Sequence, residues 1–185
     1  MRPDAGAAEG DDVIRMLERD HEDINRLLGM FDGQAPDIAA ELFWILADDL
    51  IRHEVAEEVV VYPHLWDGSH PVARAALAQQ LAIENQLSRL EGMPTSGPEF
   101  RRELEGLRSA VSDHIEGEER DLFPKVCRTV SQDRRRELGR RYAEVKETAP
   151  HHQYPGTTGN TIVGRASALS DWIRDSARKD LWQAS

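Results

Sequence analysis

Apolar residues recur every three or four positions through most of the chain, the spacing that lines one face of an α-helix. From Asp11 the line is Ile14, Leu17, Ile24, Leu28 and Phe31, and His21 fills the gap between Leu17 and Ile24, so an imidazole points inward. Asp11 and Asp12 suit the start of this helix, and Gly33 and Pro36 its end. A second helix is expected from Pro36 or Asp37, with Ala39, Leu42, Leu46, Leu50, His53, Glu57 and Val60 inward. Glu54 and Glu58 fall about 100° further round, in solvent or behind the inner residues. Pro63 and the passage WDGSHP close the segment. A third helix over about 71–91 has Leu77, Leu81, Leu87 and Leu90 on its buried face, with Glu84 among them and Asn85 at the border. After a loop rich in Gly and Pro, a fourth helix from Glu99 to about Leu122 carries Phe100, Leu104, Leu107, Val111, His114 and Glu118 on its stripe.

Two weaker helical segments follow. Residues 131–148 read as a short helix capped by Ser131, basic outside, with Leu138, Tyr142 and Val145 available for docking. A turn-rich linker, 149–160, leads to a last amphipathic helix from Thr161 to Lys179, expected to pack across the other helices or against a partner. Residues 1–10, rich in Ala and Gly, read as a disordered lead-in. The fold class is all-α.

The second and fourth helices carry the same device. His53/Glu57 and His114/Glu118 are i, i+4 pairs, which share one helix face with about 6 Å between their Cβ atoms. Both passages read H-x-x-x-E-E-x-x-x-[YF]-P, with Tyr62-Pro63 in one and Phe123-Pro124 in the other. An imidazole and a carboxylate delivered twice are what two helices need to grip a pair of metal ions. A lone inward histidine such as His21 has an ordinary reading as a hydrogen-bonded core residue. Glu57, Glu84 and Glu118 are harder to explain that way. A carboxylate on a leucine stripe is costly unless paired or metal-bound, and no Lys or Arg stands near it on these stripes. Tyr62 lies about 140° round from Glu57 on an ideal helix, so core packing is its default role. A distortion at Pro63 would let it ligate a metal or donate to a ligand. Cys127 reads as a small buried hydrophobe.

Charge and length narrow the field. The chain has 185 residues, enough for one domain with a real core, and a net charge of -11 from 34 acidic and 23 basic residues. That balance argues against nucleic acid and anionic membranes as partners. A single cysteine, no apolar run long enough to span a bilayer, and an opening without an apolar signal core point to a cytoplasmic protein.

These motifs resemble the hemerythrin-like, or HHE cation-binding, family. The likeness covers about residues 11–126: D-H-E-D-I around His21, and the two H-x-x-x-E-E passages at His53 and His114. It implies an up-down-up-down antiparallel four-helix bundle over 11–128, with residues 129–185 adding one or two C-terminal helices. It also implies a non-heme di-iron centre: two iron ions with an oxo or hydroxo bridge, held by His21, His53, Glu57, His114 and Glu118. Mn or Zn would accept the same ligand types. The third helix departs from the family pattern, offering Glu84-Asn85 where relatives usually present a histidine, so Glu84 becomes the sixth ligand expected here. Three imidazoles and three carboxylates make a set richer in oxygen than that of the oxygen carriers. Hard anionic ligands lower the reduction potential, which favours reaction with O2, hydrogen peroxide or nitric oxide over reversible O2 carriage. Peroxide decomposition and ferroxidase-type activity both fit. A sensor of O2 or iron signalling through its last helices, and a bundle that has lost its metal, remain the alternatives.

Overall fold

The computed structural model describes residues 11–65 and 71–149. Helix α1 is Val13–Gly29, α2 is Pro36–Val60, α3 is Pro71–Glu91 and α4 is Pro98–Gly117. A π-helical turn, Glu118–Leu122, continues α4 into α5, Phe123–Thr129, and α6 is Gln132–Thr148. Short links join α1 to α2 and α3 to α4, so each pair runs antiparallel, and the four long helices form a bundle. The helix starts follow local chemistry. The Asp12 carboxylate caps α1 by accepting from Ile14 N–H at 3.1 Å, and Ser131 caps α6 by accepting from Arg134 N–H. Pro36 and Pro98 occupy first turns, where a missing N–H costs nothing.

α6 lies against α1 and α2 and is pinned at several points. Arg135 reaches back to Asp12 at 2.7 Å and to the Val130 carbonyl at 2.9 Å. The Arg52 guanidinium donates twice to the Lys146 carbonyl, at 2.8 and 2.6 Å. Gly139 sits where α6 meets the start of α1: a Cβ there would stand 2.1 Å from the Asp11 carbonyl oxygen. With α1, α3 and α6 around it, α2 is buried over far more than one stripe, including Phe43, Ile51, Glu54 and Val55.

The core divides into two apolar clusters. One gathers Ile24, Leu28, Leu46, Leu50, Leu87, Leu107 and Val111, and the other Val13, Leu17, Val60, Phe123, Leu138 and Tyr142. On α1, α2 and α4 the chain passes from one cluster to the other through His21, His53 and His114. A polar layer therefore crosses the bundle between two apolar ends.

The α3 face differs from its expected one. Its buried line is Ala76, Gln80, Ile83, Leu87 and Leu90, while Leu77 is half-buried and Leu81 is 57% exposed. Cys127 is exposed, not buried. No described helix is long and apolar enough to cross a membrane. The expected lead-in, the expected final helix at 161–179 and most of the expected linker before it lie outside the described residues.

Candidate metal centre

Six ionisable side chains make up the polar layer: His21 from α1, His53, Glu54 and Glu57 from α2, His114 from α4, and Glu118 from the π turn. None is more than 6% exposed, and Glu57 is fully buried. They fall into two groups, His21/His53/Glu118 and Glu54/Glu57/His114. Within each, one ligand atom per residue lies within 4.8 Å of the others. The i, i+4 spacing on α2 and α4 accounts for the two His/Glu pairs, and the π turn sets Glu118 where it can serve both groups. Its Oε2 is 3.3 Å from His21 Nε2, and its Oε1 is 3.3 Å from His114 Nε2.

These atoms are close without being hydrogen-bonded. His114 Nε2 is 3.1 Å from Glu54 Oε1, yet both count among the buried polar atoms with no hydrogen-bond partner. So do the Nε2 atoms of His21 and His53, both oxygens of Glu57, and Glu118 Oε2. Side-by-side atoms that do not point at one another are arranged as neighbouring ligands of a common ion are. Donors about 2.0–2.2 Å from a metal, at right angles, stand about 3 Å apart. Left without a cation, so many unpaired buried polar atoms would be a heavy burden on folding. The donor set therefore fits a pair of metal ions.

The far sides of two of the three histidines, His21 and His53, are held, while His114 Nδ1 is buried with no hydrogen-bond partner. His21 Nδ1 lies 2.9 Å from Glu119 Oε1; a carboxylate there accepts, so Nδ1 carries the proton and Nε2 keeps its lone pair for the layer. His53 Nδ1 lies 3.0 Å from the Tyr142 hydroxyl, which donates to Asp20 at 2.5 Å, and Lys146 Nζ is 2.6 Å from the same carboxylate. The Tyr62 hydroxyl donates to Glu118 Oε1 at 3.1 Å.

The electrostatics show a layer short of positive charge. Burial, and then the neighbouring Glu118, push Glu57 well above the usual carboxylate range. Burial likewise raises Glu118, to about 7, despite the opposing pull of His114. For His114 burial disfavours the cation, but Glu54, Glu118 and Glu57 outweigh it and raise the pKa to about 10. Burial would raise Glu54 too; His114 beside it wins and holds it charged. None of the leading influences on these three carboxyls is a Lys or Arg. The layer thus has a raised affinity for protons at Glu57, Glu118 and His114, as it would for other cations.

An open cleft of about 310 Å³ between α3 and the π turn reaches this layer. Ala75, Ala76 and Gln79 form one wall, Gly117 and Leu122 the other, and Glu118 contributes to the lining.

Of the residues singled out in the sequence, the structure brings His21, His53, Glu57, His114 and Glu118 into one layer and sets Tyr62 against it. Glu84 departs from its expected place on the buried face. It is half-buried and outside both groups, sharing a crevice wall with Glu54, Glu58 and Gln80. The rotated α3 face turns Gln80, not Glu84, toward the interior, and Asn85 is exposed. The third carboxylate of the layer is Glu54, which had been placed in solvent or behind. A one-stripe reading fails on a helix enclosed by three others. Glu119, Asp20 and Tyr142 were also missed as contacts. The available signal was chemical: a buried phenol such as Tyr142 needs a partner for its hydroxyl.

The sequence profile of the Hemerythrin HHE cation binding domain matches residues 7–126. The chain belongs to this family. An uncharacterised hemerythrin-like protein of Schizosaccharomyces pombe is 24% identical over 139 residues, 71% of this chain and 68% of that protein. A DNA nickase of Nostoc sp. is 27% identical over 140 residues; the match takes in 73% of this chain but only 38% of the nickase. Among solved structures, a hemerythrin HHE cation binding domain-containing protein, the Rv2633c homolog from Mycobacterium kansasii, superposes with a TM-score of 0.67 at 24% identity. That match covers 74% of this chain and 86% of the other. At that identity it speaks for the fold alone, a helical bundle.

Proposed function

We propose that this hemerythrin-family protein holds two metal ions, iron in the working state, and turns over or binds a small oxidant: O2, hydrogen peroxide or nitric oxide. The observation that carries the reading is the convergence of His21, His53, His114, Glu54, Glu57 and Glu118 on the buried layer, with donor atoms that have no other partner. His21, His53 and Glu118 would hold one ion, and Glu54, Glu57 and His114 the other. Glu118, whose two oxygens face His21 and His114, would serve both ions, and Glu57 would serve beside it. Bound iron supplies one-electron redox chemistry toward the oxidant.

The protein's own groups do the rest. Apolar clusters pack on both sides of the layer and leave its approach to the cleft. The cleft beside Ala76 and Gly117 admits a molecule of a few atoms up to Glu118. Tyr62 holds the Glu118 carboxylate through its hydroxyl, and Glu119 fixes the His21 tautomer. Three carboxylates favour the more highly charged state of the metal, which suits peroxide decomposition or ferroxidase-type oxidation better than reversible O2 carriage.

Metal analysis of protein purified from iron-replete cells, paired with a peroxide-consumption assay, tests the reading. About two irons per chain and peroxide loss that disappears in His53→Ala are expected. Wild-type protein with no stoichiometric metal would end it.

A further inference from the structure

α6 begins after the last residue the family profile matches, yet it contributes a side chain to the polar layer. Tyr142 is 1% exposed, with its ring set edgewise to that of His53 at a centroid distance of 6.5 Å. Its hydroxyl has one proton and two neighbours. Asp20, ion-paired with Lys146 at 2.6 Å, can only accept, so the proton goes to Asp20. The remaining lone pair faces His53 Nδ1 at 3.0 Å, and that nitrogen must then carry a hydrogen. His53 Nε2 is left with a bare lone pair directed at the His21/Glu118 group. The register is secured one residue away, where Arg52 clamps the Lys146 carbonyl with two N–H groups.

We propose that Tyr142 is a positioning residue of the metal centre: with Asp20 and Lys146 it fixes His53 as the Nδ1–H tautomer and presents Nε2 to the metal. The proposal rests on the metal reading above. A chain running from imidazole N–H through a phenol to a carboxylate makes the imidazole a stronger donor, and that favours the higher metal charge. A tyrosine that only filled space would have no such effect.

The full-length chain, wild type and as Tyr142→Phe, Asp20→Asn and Leu138→Ala, separates the two. Leu138 lies on the same helix, equally buried and off the chain of hydrogen bonds, so its truncation reports packing alone. Nitrogen-15 NMR of the metal-free protein at alkaline pH reads the His53 tautomer. Zn(II) competition reads affinity, and redox titration of the iron-loaded protein reads potential. Nδ1–H is expected in wild type and a tautomer mixture in Tyr142→Phe, with about ten-fold weaker Zn(II) binding and a raised potential. Asp20→Asn should behave likewise although it leaves the ring packed, because an amide can donate to the phenol oxygen. Leu138→Ala should lower the melting temperature and leave tautomer and affinity alone. An Nε2–H tautomer in wild type, or equal loss of affinity in Tyr142→Phe and Leu138→Ala, overturns the proposal. Wild-type protein that takes up no metal while His53 is Nδ1–H overturns the proposed function instead.

Discussion

The ring of Phe123 stacks on that of His21, 14° from parallel with centroids 5.5 Å apart. Phe123 occupies the place in its motif that Tyr62 occupies in the other, and both face the polar layer. For Phe123 the π turn is responsible: its N–H bonds the Glu118 carbonyl five residues back, and the wider turn returns it toward the face of Glu118. The following Pro124 has no N–H to offer an α-helical bond, which eases that winding. One half of the layer thus ends on an apolar ring and the other on a phenol.

Tyr62→Phe makes the halves alike and removes the hydrogen bond to Glu118. That bond works to lower the Glu118 pKa, so its loss raises an already raised value. Protons should then compete harder with metal, and the pH of half-loading in a metal titration should move up. Loss of a bond to a charged buried acceptor also costs about 1.5–3 kcal/mol, visible as a lower melting temperature of the loaded protein. Unchanged half-loading pH and melting temperature would mean that Tyr62 does not hold Glu118.

Metal uptake should release protons. At pH 7 His114 is protonated and Glu118 is near half, and the raised Glu57 adds to them, so loading should expel more than one proton per chain, measurable with an indicator dye in weak buffer. The same groups set the pH dependence of the metal-free protein. Glu57 and Glu118 bind protons in the folded chain above the pH where the unfolded chain has released them, so stability falls as pH rises through about 7. His114 gives up its contribution progressively from its ordinary 6.5 up to about 10, and His21, lowered first by burial, matters only below its ordinary range. From pH 6.5 to 8 the metal-free melting temperature should drop while that of the loaded protein holds or rises. Parallel curves would contradict this account.

Close approach at Gly139 gives a purely structural prediction. In Gly139→Ala the added Cβ meets backbone at the start of α1, and α6 must shift outward. Overpacking of this kind costs about 1–3 kcal/mol in denaturant unfolding. Tyr142 lies one turn further along, so metal affinity should fall as well. Wild-type stability in this variant would show that the helices have slack the geometry denies.

The sequence made His21, His53, Glu57, His114 and Glu118 legible because each interrupts a line of buried apolar residues, and burial is what periodicity reports. It was less informative on α3, where Leu77 and Leu81 suggested a face that the helix does not bury. Exposed leucine is tolerable, so leucine spacing alone leaves the helix's rotation undetermined, and Gln80 gave no apolar signal. On α2 the difficulty was the reverse. A helix enclosed by α1, α3 and α6 has no single stripe, so Glu54 looked peripheral. The contribution of α6 depends on a long-range contact between Tyr142 and His53 that no local pattern encodes.

Glu54 and Glu84 therefore make the decisive pair. Both stand beside the same crevice, but only Glu54 is buried against His114, at 3.1 Å, with oxygens that lack a hydrogen-bond partner. Glu54→Gln replaces a charge that His114 needs by a neutral amide. In the metal-free protein His114 should lose much of its upward shift, since Glu54 is the largest influence raising it. In the loaded protein the ion shared with Glu57 and His114 should bind about 10–100-fold more weakly, and total metal should fall toward one per chain. Glu84→Gln, outside both groups and half-buried, should keep both metals and shift stability by less than about 1 kcal/mol. Metal counting on the two variants decides between them. If Glu84→Gln loses metal while Glu54→Gln keeps two, α3 turns a different face to the layer when the site is loaded, and Glu84 regains the place its sequence position suggested.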